Sequence, residues 1–129
     1  SKCTSIHGPG CKLSPLEMAH NYKYLIEAGG GAYSARVKWL LCLKRLIFLR
    51  QKKWPAFYDI DLKPHVPYIP VKEDLSDLLQ KYEWAEHNPT TVAKIINNCS
   101  NFAEKNLSPK ALARRWFDIF SGILTYRPS

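Results

Sequence analysis

An α/β fold with a short parallel sheet and a helical tail is predicted by three observations. Short apolar runs at 24–28, 46–49 and 66–71 are separated, in the first half, by a segment of helical spacing. Beyond residue 74 the pattern is helical alone. Ser-Pro or Asn-Pro steps, which open helices, stand at 14–15, 88–89 and 108–109. Strands alternating with helices favour a parallel sheet. Three strands make about half of a doubly wound sheet. With Ser1 as its first residue, the chain is expected to be a processed form or a fragment, lacking an N-terminal portion.

Residues 1–13, rich in Ser, Thr, Gly and Pro, read as a loop or frayed N-terminal segment. Ser14-Pro15-Leu16-Glu17 is a capping box with Pro at the first helical position, so a short helix is expected to about Tyr22. Tyr24 to Ala28 reads as a buried strand, and Gly29 to Gly31 turn the chain. Ser34 to Lys44 carries Val37, Leu40 and Leu41 at helical spacing. Leu46 to Leu49 is a second strand, followed by a polar loop holding Trp54, Phe57 and Tyr58. Val66 to Val71 is a third strand, short because Pro67 and Pro70 interrupt it. Leu75, Leu78, Leu79 and Tyr82 then share a face behind Asp74 as cap. The next helix turns Val92, Ile95, Ile96, Cys99 and Ala103 inward, and the last turns Leu112, Trp116, Ile119, Phe120 and Ile123 inward.

The composition allows a packed core: 46% of the 129 residues are hydrophobic. The apolar run from Trp39 to Leu49 is too short to cross a membrane and is broken by Lys44 and Arg45. No secretory signal is read before the first turn region. The net charge of +8 attracts nucleotides, nucleic acid and anionic membranes alike. Lys44-Arg45 and Arg50 to Lys53 read as a solvated basic face. Of the four cysteines, Cys3 and Cys11 are able to bridge in an oxidising compartment, whereas Cys42 and Cys99 read as free core thiols. The spacings make no zinc pattern, and His20, His65 and His87 have no partner pattern.

The stretch from Tyr22 to Lys38 carries the chemistry. A strand, a glycine turn and a helix start form a pocket for an anion. Glycines let the backbone approach a ligand, and the first helical amides have no internal partner. Arg36 adds a planar fork suited to phosphate oxygens. A cation is poorly placed at a helix start unless an anion sits there. The expected ligand is therefore a nucleotide diphosphate.

The string Tyr22-Lys23-Tyr24-Leu25-Ile26, glycine, Ser34-x-Arg36-x-Lys38, Phe57-Tyr58, Leu62-Lys63-Pro64, Tyr68-Ile69-Pro70-Val71 and Asp74-Leu75-Ser76-Asp77-Leu78 resembles glycosyltransferase family 90. That family comprises Rumi-type protein O-glucosyltransferases and capsule-associated, lipopolysaccharide-modifying proteins. The resemblance spans roughly residues 14 to 126 and implies a GT-B architecture of two Rossmann-like halves. Residues 14–129 then form the C-terminal nucleotide-sugar-binding half, with the N-terminal acceptor and catalytic half absent. It implies a UDP-sugar donor, UDP-glucose or UDP-xylose, a protein or glycan acceptor, and no metal or other cofactor. The donor segment maps to Gly31, Ala32, Tyr33, Ser34, Ala35 and Arg36, with Ser34 offering its hydroxyl to the diphosphate and Arg36 neutralising charge on the leaving UDP. The family's catalytic Asp has no counterpart here; Asp59 and Asp61 do not match its motif. Pro55 and His65-Val66-Pro67-Tyr68 depart from the family pattern, and His20 and Leu43 stand where animal members often bridge two cysteines. The resemblance implies the lumen of the endoplasmic reticulum or Golgi; Arg127-Pro128-Ser129 is no retention signal. A non-catalytic nucleotide-sugar-binding module is the alternative. A nucleic-acid-binding domain is a remote one, since the basic residues follow no single helix, and nucleic acid is not an expected partner.

Overall fold

In the computed structural model, residues 13–29, 36–51 and 62–125 are described. Three parallel strands form one sheet in the order β1 (Tyr24–Glu27), β2 (Leu46–Arg50) and β3 (Ile69–Val71). Tyr24 pairs with Leu46 and Glu27 with Leu49, while Phe48 pairs with Ile69 and Arg50 with Val71. Five helices accompany them: α1 (Pro15–Asn21), α2 (Arg36–Leu41), α3 (Leu78–His87), α4 (Pro89–Leu107) and α5 (Pro109–Thr125). The α/β class, the parallel sheet and the helical tail are thus as the sequence predicts, and the arrangement is that of a Rossmann-like fragment.

Strand alternation divides the core between the two faces of the sheet. Leu25, Ile47 and Leu49 pack with Val37, Leu40 and Leu41 of α2 on one face. Leu46 and Phe48 pack with Ile69, Val71 and Ala85 on the other. The long helix α4 serves both clusters, giving Val92 and Ile95 to one and Cys99 and Ala103 to the other. Central β2 is buried from Leu46 to Leu49, as a strand covered on both faces must be. Pro70 is tolerated because β3 lies at the sheet edge.

Helix starts follow local chemistry. Ser14 Oγ accepts from the Glu17 amide, and Glu17 Oε2 accepts from the Ser14 amide at 2.8 Å, closing the expected capping box. Ser108 Oγ accepts from the Ala111 amide at the start of α5. Asn88 instead turns its side-chain amide back to the Trp84 carbonyl at 2.8 Å, closing α3 rather than opening α4.

Four expectations need correction. Asp74 does not cap α3: its carboxylate accepts from the Ser76 amide, and the helix begins after Asp77. Leu75 between them has φ 61, outside helical geometry. The face of α5 expected to point inward is uncovered, with Trp116, Ile119, Phe120 and Ile123 all exposed. Cys42 is exposed, not a core thiol, whereas Cys99 is buried. Helix α2 stops at Leu41, because the chain tightens into a turn (Leu43 amide to Leu40 carbonyl, 3.0 Å) and Lys44 takes φ 53.

Candidate functional site

Because all three strands are parallel, their C-terminal ends share one edge of the sheet, where open α/β folds bind ligands. Three chain segments leave that edge: Ala28-Gly29 after β1, Gln51 after β2, and Lys72 to Asp77 after β3. Arg36 opens α2, which returns the chain after the β1 exit.

Glu27, the last residue of β1, is the buried charged residue among the described ones, at 2% exposure. Its Oε1 accepts from the Gly29 amide at 2.9 Å and from Arg36 Nη2 at 3.3 Å. Arg36 keeps 66% of its side chain exposed despite that bond. The helix start, the glycine turn and the arginine are therefore joined through a carboxylate that no sequence motif marked.

A second arginine holds the same exit from the other side. Arg50 Nη1 donates to the Ala28 carbonyl at 2.7 Å, and Nη2 lies 3.7 Å from Glu73 Oε1. Its Nε is buried without a hydrogen-bond partner among the described residues. Gly29 has φ +89, and a Cβ there would stand 3.0 Å from Arg50 Nη1. The positive φ favours glycine, and a Cβ would also push the Arg50 guanidinium aside by a few tenths of an ångström. Arg50 is thus no mere member of a solvated basic face; it ties the ends of β1 and β2 to the loop after β3.

That third loop is ordered by carboxylates on backbone amides. Asp77 Oδ1 accepts from the Lys72 amide at 2.9 Å, which occupies the side chain and leaves α3 without a side-chain cap. Asp74 holds Ser76 at 3.0 Å, and this bond keeps the Asp74 carboxyl below its ordinary value. Asp74, expected as the cap of α3, orders the β3 exit instead.

Of the predicted donor residues, the structure places Arg36 at this edge; Gly31, Ala32, Tyr33, Ser34 and Ala35 lie outside the described residues, as do Phe57, Tyr58, Asp59 and Asp61. Lys38 is exposed, its ammonium 5.7 Å from the Trp39 ring. Among the described residues, no group of three or more His, Cys, Asp or Glu is placed to hold a metal. Cys99 is an inert thiol: burial, and then the charge of Cys42, push it up to about 12.

Elsewhere, an apolar groove of about 580 Å³ runs between β1 and α3, lined by Tyr24, Ile26, Phe48, Leu79 and Tyr82. Its rim carries Glu86, which accepts from Lys23 Nζ at 2.8 Å and from the Tyr24 hydroxyl. Nothing in this groove repeats the arginine and glycine chemistry of the strand ends.

A three-stranded parallel sheet with helices, carrying Gly29 and Arg36 at its C-terminal edge, defines a Rossmann-like α/β protein. The chain matches glycosyl transferase family 90 over residues 2–129. It is 32% identical to protein O-glucosyltransferase 2 of Danio rerio over 103 residues, 80% of this chain and 21% of that protein. Against protein O-glucosyltransferase 1 it is 33% identical in Rattus norvegicus, over 81% of this chain and 28% of that protein. The human form of that protein is also 33% identical, over 78% of this chain and 26% of its own length. This chain belongs to glycosyl transferase family 90. It spans about a quarter of the length of these relatives.

Proposed function

We propose that this chain forms the donor-binding part of a glycosyltransferase of GT-B architecture. The enzyme moves a hexose or pentose, glucose or xylose, from a UDP-sugar to a hydroxyl of a protein or glycan. Membership of the family and the O-glucosyltransferase relatives support the reaction class. The observation that carries the donor role is the position of Arg36, at the start of α2 and at the C-terminal edge of the sheet, with its guanidinium largely exposed.

In this reading the diphosphate lies between the β1 exit and Arg36, with Gly31 to Ala35 contributing backbone amides and the Ser34 hydroxyl. Transfer breaks the bond between the sugar's anomeric carbon and the β-phosphate oxygen, and negative charge grows on UDP. Arg36 stabilises that charge, so its contact strengthens as the reaction proceeds. No metal enters this scheme. The acceptor hydroxyl is deprotonated by a carboxylate outside this chain, in the part of the polypeptide corresponding to the longer relatives. The exposed apolar face of α5 suits docking against that part. The proposed compartment is the lumen of the endoplasmic reticulum or Golgi, on the family resemblance.

Arg36→Ala is expected to weaken UDP binding by the full-length enzyme about ten- to a hundredfold. That follows from about 1.5–3 kcal/mol for a hydrogen bond to a charged group. Titration calorimetry measures it. A well-folded full-length enzyme with no affinity for UDP, or an Arg36→Ala variant that binds as tightly as the parent, overturns the reading.

A further inference from the structure

A buried carboxylate at the end of a strand is costly unless it is paired and hydrogen-bonded. Glu27 meets that demand with two partners on different parts of the chain: the Gly29 amide at 2.9 Å and Arg36 Nη2 at 3.3 Å. Both bonds end on the same oxygen, Oε1. One atom therefore relates the point where the backbone leaves β1 to the side chain that opens α2.

The partition of exposure is informative. Glu27 is 2% exposed while Arg36 is 66% exposed. Here the carboxylate is the fixed member, set by strand register between Leu49 and the core, and the guanidinium is the free one. A guanidinium is a planar fork, so anchoring one terminal nitrogen sets the plane in which the others point. Arg50 reinforces the frame from β2 by holding the Ala28 carbonyl between Glu27 and Gly29.

We infer that Glu27 is a positioning residue: its carboxylate orients the Arg36 guanidinium toward the diphosphate and fixes Gly29 in the same step. The inference rests on the donor-site reading of Arg36. Glu27 does not touch the donor. It lowers the ordering cost that a two-thirds exposed arginine meets on binding an anion, which is how pre-organisation raises affinity.

Glu27→Gln tests this, because the amide oxygen still accepts from Gly29 while the charge that holds Arg36 is gone. In the full-length enzyme, UDP affinity by calorimetry is expected to fall about five- to tenfold in Glu27→Gln. In an Arg36→Ala background the same change is expected to alter affinity by less than about twofold, the coupling of residues acting as a unit. A structural role alone would weaken binding equally in both backgrounds, and that result overturns the inference. So does unchanged or tighter UDP binding in Glu27→Gln while Arg36→Ala binds weakly; the donor-site reading then survives. Arg36→Ala binding normally removes both. Should Glu27→Gln fail to fold, the unmutated enzyme still decides: nitrogen NMR is expected to show hindered rotation of the Arg36 guanidinium before UDP is added. Free rotation overturns the inference.

Discussion

Gly29 is a residue whose replacement separates two penalties. Its φ of +89 disfavours any side chain, and Arg50 Nη1 occupies the space a Cβ needs. Gly29→Ala is expected to destabilise the protein by about 1–2 kcal/mol, read by urea denaturation. In an Arg50→Ala background, Gly29→Ala should cost less by its steric share alone, because the backbone penalty remains. A single variant as stable as the parent would show that the turn relaxes freely. At this scale the sequence exposed the glycines and Arg36, because such residue types are uncommon at a strand-to-helix junction unless an anion or a tight turn requires them. Glu27 and Arg50 stayed hidden. A glutamate closing an apolar run and an arginine heading a basic run both look solvated until β1 and β2 are aligned side by side. Only the register, which pairs Glu27 with Leu49 next to Arg50, places the two side chains around Ala28 and Gly29.

Among the elements, the helix starts set by a local motif were readable, whereas the start of α3 and the extent of β3 were not. The motif Ser14-Pro15-x-Glu17 works within four residues, so no tertiary information is needed. The length of β3 depends on its neighbour: only Ile69 to Val71 find partners on β2, so three of the six expected residues pair. Spacing places the cap of α3 at Asp74, whereas the helix begins after Asp77, whose carboxylate accepts from the Lys72 amide across the turn. The union of β1 with α3 through Glu86 gives a pH test. Hydrogen bonds from Lys23 and Tyr24 hold the Glu86 carboxyl below its ordinary value of 4.5. The stabilisation is therefore complete above about pH 4.5 and disappears as pH falls through the lowered folded-state value. The difference in Tm between the parent and Glu86→Gln is expected to be small, since the pair is exposed, and to shrink as pH is lowered below 4.5. A difference that grows toward low pH would contradict the assignment.

For the whole molecule, α5 is the informative part. Its apolar positions recur at helical spacing, which the sequence reading took as burial. Periodicity reports that a face is apolar, not what covers it. Trp116 and Phe120 stack on each other at 5.8 Å while remaining 59% and 58% exposed. The relatives are roughly four times longer than the matched region. Phe120→Asp in the full-length enzyme is accordingly expected to lower Tm by about 1–2 °C, consistent with about 1 kcal/mol of lost apolar burial in a chain of that size. An unchanged Tm would place α5 in solvent in the complete protein as well.

The common direction of β1, β2 and β3 has an evolutionary consequence. The strand pairing runs along β1, β2 and β3, while the chain exits that follow them gather at one rim. Substitution in the exits can retune recognition without re-registering a single strand pair. A chimaera that exchanges these connectors between relatives is therefore expected to keep its strand pairing.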